Sequence, residues 1–270
     1  FPVAGQLRLA WQFDAVSADS ITYYECVVDA QDGTLLYRNS ITDSDITGLV
    51  FNASSPQPSA TPGVIPPVPN PPVIIPRSSL SFAGDPAASP IGWVGSTLES
   101  IGNNVIARED KAGDNELTLG ATARAINGSF GFDLQLGPGA PSPVNFTEAA
   151  ITSLFYWCNV AHAYFYNLGF TETAGNFQED NFGKGGAAGD SLRADAQDGA
   201  NLNSSAYLNN ASMSTPTDGY KPRMTVYLWG SLGGPYVDAD FDAEVLFHEY
   251  THGVFRRLTS AAGGQSGAIN

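Results

Sequence analysis

Hydrophobic and polar positions alternate at the start of this chain and then change period. Leu7 to Phe13 alternates, Ile21 to Val28 is β-branched and aromatic, and Asp32-Gly33 followed by Thr34 to Tyr37 has the form of a hairpin, so the first forty-five residues predict an antiparallel β unit. From Ser54 to Pro76 proline recurs too often for a helix or a central strand, as in Ile65-Pro66-Pro67-Val68-Pro69-Asn70-Pro71-Pro72, and an extended connector is expected. Turn signals and short strands fill Leu80 to about Pro143.

The period then lengthens. Leu154, Phe155, Trp157, Cys158, Val160, Ala161, Phe165 and Leu168 cover most of the circumference of a helix predicted over Thr147 to Leu168, with Asn145 and Glu148 spaced as a capping box and Gly169 as its stop. Such a helix must be buried, and His162 is read as an imidazole hydrogen-bonded inside the core. A second helix follows Asp238, Asp240 and Asp242, acids suited to a helix start. Phe241, Val245, His248, His252 and Phe255 recur along it at three and four, which places His248 and His252 on the continuation of an apolar stripe, and Arg256-Arg257 with Gly263-Gly264 close it.

That helix carries the chemistry. His248-Glu249-Tyr250-Thr251-His252 reads HExxH, and histidines four apart project from one helix face, where both imidazoles reach a single ion. Glu249 beside them can take a proton from a water activated at the metal, zinc being the ion that makes hydroxide available near neutral pH. Metal-assisted hydrolysis is the reaction class implied.

Composition narrows the setting. The chain has 270 residues and a net charge of −15, so it offers no basic surface for nucleic acid. It contains no apolar run long enough to span a membrane. Cys26 and Cys158, the only cysteines, are read as two free thiols. The Gly-rich run Phe182-Gly183-Lys184-Gly185-Gly186 lacks the spacing of a phosphate loop, and Asp110, Asp114 and Glu116 are read as a solvated acidic loop rather than a calcium site.

Six ordered blocks carry a more specific signal than the motif alone: Leu154-Phe155-Tyr156-Trp157-Cys158-Asn159-Val160-Ala161-His162, Ala174-Gly175-Asn176-Phe177-Gln178, Asp195-Ala196-Gln197-Asp198-Gly199, Pro216-Thr217-Asp218-Gly219, Pro222-Arg223-Met224 and the HExxH run with Gly253. Together they resemble the fungalysin family of secreted zinc metallopeptidases. The resemblance implies an α+β, thermolysin-like catalytic fold in which a β-rich N-terminal subdomain precedes the HExxH helix, with the C-terminal helical subdomain missing from this stretch. Residues 1–45 would be the end of a propeptide, 46–76 a Pro-rich connector and 77–270 the N-terminal part of the catalytic domain. His248 and His252 would bind Zn2+, Glu249 would activate water, and Asn210 with Ala211 would hold an extended polypeptide substrate on an edge strand. The third zinc ligand is expected as a glutamate just beyond Asn270, after Ser266-Gly267-Ala268. The function implied is that of a secreted zinc endopeptidase, made as a proenzyme that its own propeptide inhibits. A second reading keeps the fold as a non-catalytic secreted module or truncated fragment without a complete zinc site.

Overall fold

A 21-residue helix without a polar face needs a body built around it. The computed structural model describes residues 2–3, 6–16, 23–40, 46–52, 76–115, 120–136 and 139–261, and in it this helix, α1, runs Thr147–Asn167. Every residue from Ala149 to Asn159 is buried, with Ala161 and His162. The expected capping box is not formed. Asn145 closes a 3-10 turn, Pro143–Asn145, whose own backbone bond from Phe146 N–H to the Pro143 carbonyl (2.9 Å) takes up the approach to the helix. Gly169, at φ +104°, ends α1 as the sequence predicts. His162 is a core residue but not a hydrogen-bonded one: neither ring nitrogen meets a partner among the described residues, and burial lowers its pKa to about 3, leaving it neutral.

The N-terminal unit holds the predicted hairpin. Short pieces β1 (Pro2–Val3) and β2 (Gln6–Leu7) pair with each other, and β3 (Ala10–Val16), β4 (Tyr23–Asp29) and β5 (Leu35–Ser40) form an antiparallel meander in which Phe13 faces Cys26. Gly33 turns it at φ +74°. Both cysteines are free and buried, as read.

The folded body around α1 begins before the proline-rich run. Strand β6 (Thr47–Val50) pairs antiparallel with β7 (Ser78–Ser81) and parallel with β9 (Ser129–Phe130), so the start of the 46–76 span that the resemblance gave to the connector is a strand of this sheet. The rest of the connector up to residue 75 lies outside the described residues. Phe82 packs across Gly48, where a Cβ would fall 2.0 Å from its ring, and meets Trp93, Phe130 and Phe155 at ring centroids of 5.5, 5.5 and 5.9 Å.

A second, four-stranded sheet covers α1 from the other side. Strand β8 (Val105–Glu109) pairs in parallel with β10 (Leu192–Ala196), which pairs in parallel with β12 (Arg223–Val226), and β11 (Ala211–Ser214) adds antiparallel at the edge. All five residues of β10 are buried. The hairpin of β13 (Leu228–Gly230) and β14 (Tyr236–Asp238) then leads to α2 (Ala243–Ala261), which packs on α1 and on β11. The architecture is the mixed α+β expected. Phe82→Ala is expected to lower stability by about 3–5 kcal/mol in a denaturant titration, because it removes the ring that joins β6, α1 and the Trp93 loop.

Candidate active site

The start of α2 shows three acids doing three different things. Asp242 is its cap: Oδ1 accepts from Glu244 N–H (3.0 Å) and Val245 N–H (3.4 Å). Asp238 caps the 3-10 turn before it, accepting Asp240 N–H at 3.0 Å. Asp240 turns inward, and its Oδ2 accepts Gln197 N–H at 3.0 Å while Gln197 Nε2 donates to Asp238 Oδ2 at 2.6 Å. Burial, reinforced by the neighbouring Asp238, holds the Asp240 carboxyl well above the ordinary carboxylate range.

Further along α2, His248 and His252 stand one turn apart with ring planes at 87° and Nε2 atoms 2.9 Å apart. His248 is exposed and His252 half-buried, whereas Glu249 between them is only 7 % exposed. The buried side of α2 is instead Leu246, Glu249, Tyr250, Gly253, Val254 and Arg257, so the expected apolar stripe through His248, His252 and Phe255 is corrected. The histidines therefore line the side of α2 that is open to solvent. Two converging imidazole nitrogens with a carboxylate alongside suit a nitrogen-seeking divalent metal such as zinc. Among the described residues, no third carboxylate, imidazole or thiol joins the two histidines in a group with ligand atoms within 4.8 Å of one another. Burial raises the Glu249 carboxyl above its usual range, and the nearby His248, His252 and Arg256 oppose that shift.

Beside this helix runs the edge strand β11. Tyr227 N–H donates to the Asn210 carbonyl (3.3 Å), so in the antiparallel alternation Asn210, Ser212 and Ser214 turn their backbone groups to β12 while Ala211 and Met213 turn theirs to the open edge. Asn210 Oδ1 accepts the Ala211 N–H at 2.9 Å. The structure therefore places Ala211 on the outer edge of β11, and Asn210 just before it with its backbone turned to β12, on a strand packed beside α2. Gly253 permits that proximity: a Cβ there would lie 2.5 Å from Met213 Cε and 3.2 Å from the Phe177 ring.

Two buried ion-pair systems hold these elements, and pattern reading did not find them. Arg257, 2 % exposed by side chain, donates through Nη1 to Asp190 Oδ2 (2.6 Å), Asp218 Oδ1 (3.1 Å) and the Gly175 carbonyl (3.0 Å), and it lies over the Phe177 ring. It was expected as a cation at the helix end, yet its spacing of three and seven from Val254 and Tyr250 already marked the buried face. The second system lies in the sheet. Asp110 is a buried group rather than part of a solvated loop; its carboxylate converges with those of Asp195 and Asp198, and the Arg223 guanidinium donates to all three. Arg193 Nε adds a bond to Asp195 (2.9 Å), so arginine supplies the cation there. Asp114 is not in the cluster, and Glu116 lies outside the described residues.

Comparison with known proteins shows the family of the chain. The sequence model of the fungalysin metallopeptidases (M36) matches residues 65–269. The chain is 36% identical over 230 residues to the extracellular metalloproteinase mep of Aspergillus flavus, covering 83% of this chain and 34% of that protein. To the extracellular metalloproteinase 1 of Phaeosphaeria nodorum it is 35% identical over 261 residues, 94% of this chain and 37% of that protein. It is 38% identical over 187 residues to the extracellular metalloproteinase MEP of Pyricularia oryzae, 68% of this chain and 28% of that protein. The chain belongs to the fungalysin metallopeptidase family, and it spans about a third of the length of these relatives. Like them it is extracellular, and among the described residues no helix is long and apolar enough to cross a membrane.

Two outcomes follow from the buried charges. Arg257→Ala leaves Asp190 buried without its cation and is expected to cost about 3–5 kcal/mol in chemical denaturation. The raised Asp240 carboxyl keeps its proton in the folded state where the unfolded chain has lost it, so stability falls as pH rises above the ordinary aspartate range. Unfolding free energies measured across pH should show that slope, up to about 1.4 kcal/mol per unit, diminished in Asp240→Asn.

Proposed function

We propose that this chain forms the first part of the catalytic unit of a secreted, thermolysin-like zinc endopeptidase that is made as a proenzyme. The observation that carries the reading is the convergence of His248 and His252 Nε2, 2.9 Å apart on an open helix face, with Glu249 buried between them and a free strand edge alongside. His248 and His252 would hold zinc, and the glutamate expected after this stretch would complete the ligand set. Zinc, when bound, lowers the pKa of water towards 7 and polarises the carbonyl to be attacked.

The chain's own residues supply the remaining steps. The outward carbonyl of Ala211 accepts from an extended peptide, and the Asn210 side chain, which holds the Ala211 N–H, orients that edge, so that a peptide bond rather than a side chain faces the histidines. Glu249, held by the helix between the two ligands, accepts a proton from the attacking water and returns it to the leaving amine. Its burial keeps the carboxylate away from competing bulk water. Residues 1–45 are read as the end of the inhibitory propeptide, with the proline-rich run as the connector where processing separates the two.

Glu249→Gln in the full-length protein is expected to reduce casein hydrolysis by about 10²–10⁴-fold while one zinc remains bound, as read by metal analysis of the purified protein. Retained hydrolysis would remove Glu249 from the mechanism, and chelation of zinc should abolish activity in the wild type.

A further inference from the structure

Arg256 is the residue on this face that the catalytic reading leaves unused. It lies four residues after His252 and eight after His248, so all three side chains project from one side of α2. Its Nη1 donates to the carbonyl of Met213, one of the two residues whose backbone faces the open edge of β11. The guanidinium is thereby fixed at the rim of the same groove, two residues along the strand from Ala211. Its charge is felt at Glu249.

Arg256 is held by a backbone carbonyl rather than by a carboxylate. Arg193, Arg223 and Arg257 are each paired with buried aspartates, whereas among the described residues no acid pairs with Arg256, although the chain carries a net charge of −15. Its side chain is exposed. Fixing one N–H on a backbone carbonyl orders the fork and leaves other donors for an anion, the arrangement that suits arginine to planar carboxylates. The same bond has a second effect. A peptide laid along β11 finds the Ala211 N–H already held by Asn210 Oδ1 and the Met213 carbonyl already accepting from Arg256, so at Met213 the guanidinium itself is the nearest group for a substrate side chain to meet.

We propose that Arg256 is a specificity-determining residue that recognises an acidic side chain, Glu or Asp, at the substrate position lying opposite Met213. This rests on the reading of β11 as the strand that receives substrate. A charge-assisted, two-pronged contact at a half-exposed rim favours glutamate over glutamine by about tenfold, and the preference weakens with added salt.

The test uses the full-length, zinc-loaded enzyme and peptides of equal length that differ only by Glu or Gln, scanned over the four positions on each side of the cleaved bond. The quantity read is the ratio of kcat/KM for the Glu and Gln members within each enzyme, which cancels any general loss of activity from a loosened helix. Wild type should favour Glu about tenfold at one position, chiefly through KM, with the ratio falling towards one in Arg256→Gln and taking an intermediate value in Arg256→Lys. Hydrolysis with no Glu preference at any position, or a preference that survives Arg256→Gln, overturns the assignment. If wild type cleaves neither series nor casein, the endopeptidase reading itself fails and this inference falls with it.

Discussion

The helix that carries His248 and His252 keeps one orientation only if its two ends are held at once, and the bond between Arg257 and Asp190 is what holds the far one. Asp190 also accepts Gln178 N–H (3.1 Å) and Gly219 N–H (3.2 Å), so one carboxylate ties the end of α2 to the loop after α1 and to the turn before β12. At the near end Asp242 caps the first turn and Asp240 bonds the Gln197 backbone, joining the helix to β10. Between those anchors Tyr250 stacks on Phe165 at 5.7 Å and 7°, which sets the rotation of α2 and hence the direction in which His248 and His252 point. The chemistry of the two imidazoles depends on this frame because a ligand pair that rocks cannot hold an ion in fixed geometry.

Much of this was legible in the sequence, and what was not has a physical reason. Helices α1 and α2 announce themselves by period and by Gly169, and HExxH states its own geometry. The hairpin at Asp32-Gly33 is equally direct. The parallel core of the second sheet is harder: Leu-Arg-Ala-Asp-Ala in β10 and Arg-Met-Thr-Val in β12 carry charges that a strand pattern assigns to solvent. In the fold Arg193, Asp195 and Arg223 are buried or half-buried because they neutralise one another across strands, aided by Asp110 and Asp198 from adjoining loops. Arg193 and Asp195 are only two residues apart, but the partners of Arg223 are twenty-five or more residues away and cannot be paired by local reading, so these residues look exposed until the topology brings them together. The stripe through His248 and His252 was misjudged for the converse reason: histidine counts as half-apolar in a pattern, and only tertiary contact shows that this face is open.

The arrangement also explains why so many acids can be buried. A compact body with this charge would repel itself if every carboxylate stayed ionised at short range. Arginines neutralise the sheet cluster, and the raised Asp240 keeps its proton beside Asp238. The fold thus manages its acidity locally and leaves the surface to carry the net charge.

A strand edge that could receive a proposed substrate is equally open to a second copy of the same protein, and unprotected edges are where β-rich proteins self-associate. Strand β11 is four residues long, and two of its outward backbone groups are already engaged, the Ala211 N–H by the Asn210 side chain and the Met213 carbonyl by Arg256. What remains is enough to seat a short guest beside the histidines but too little to template a sheet between molecules. Resistance to edge-to-edge pairing is therefore built into the same few atoms that shape the outer edge of β11.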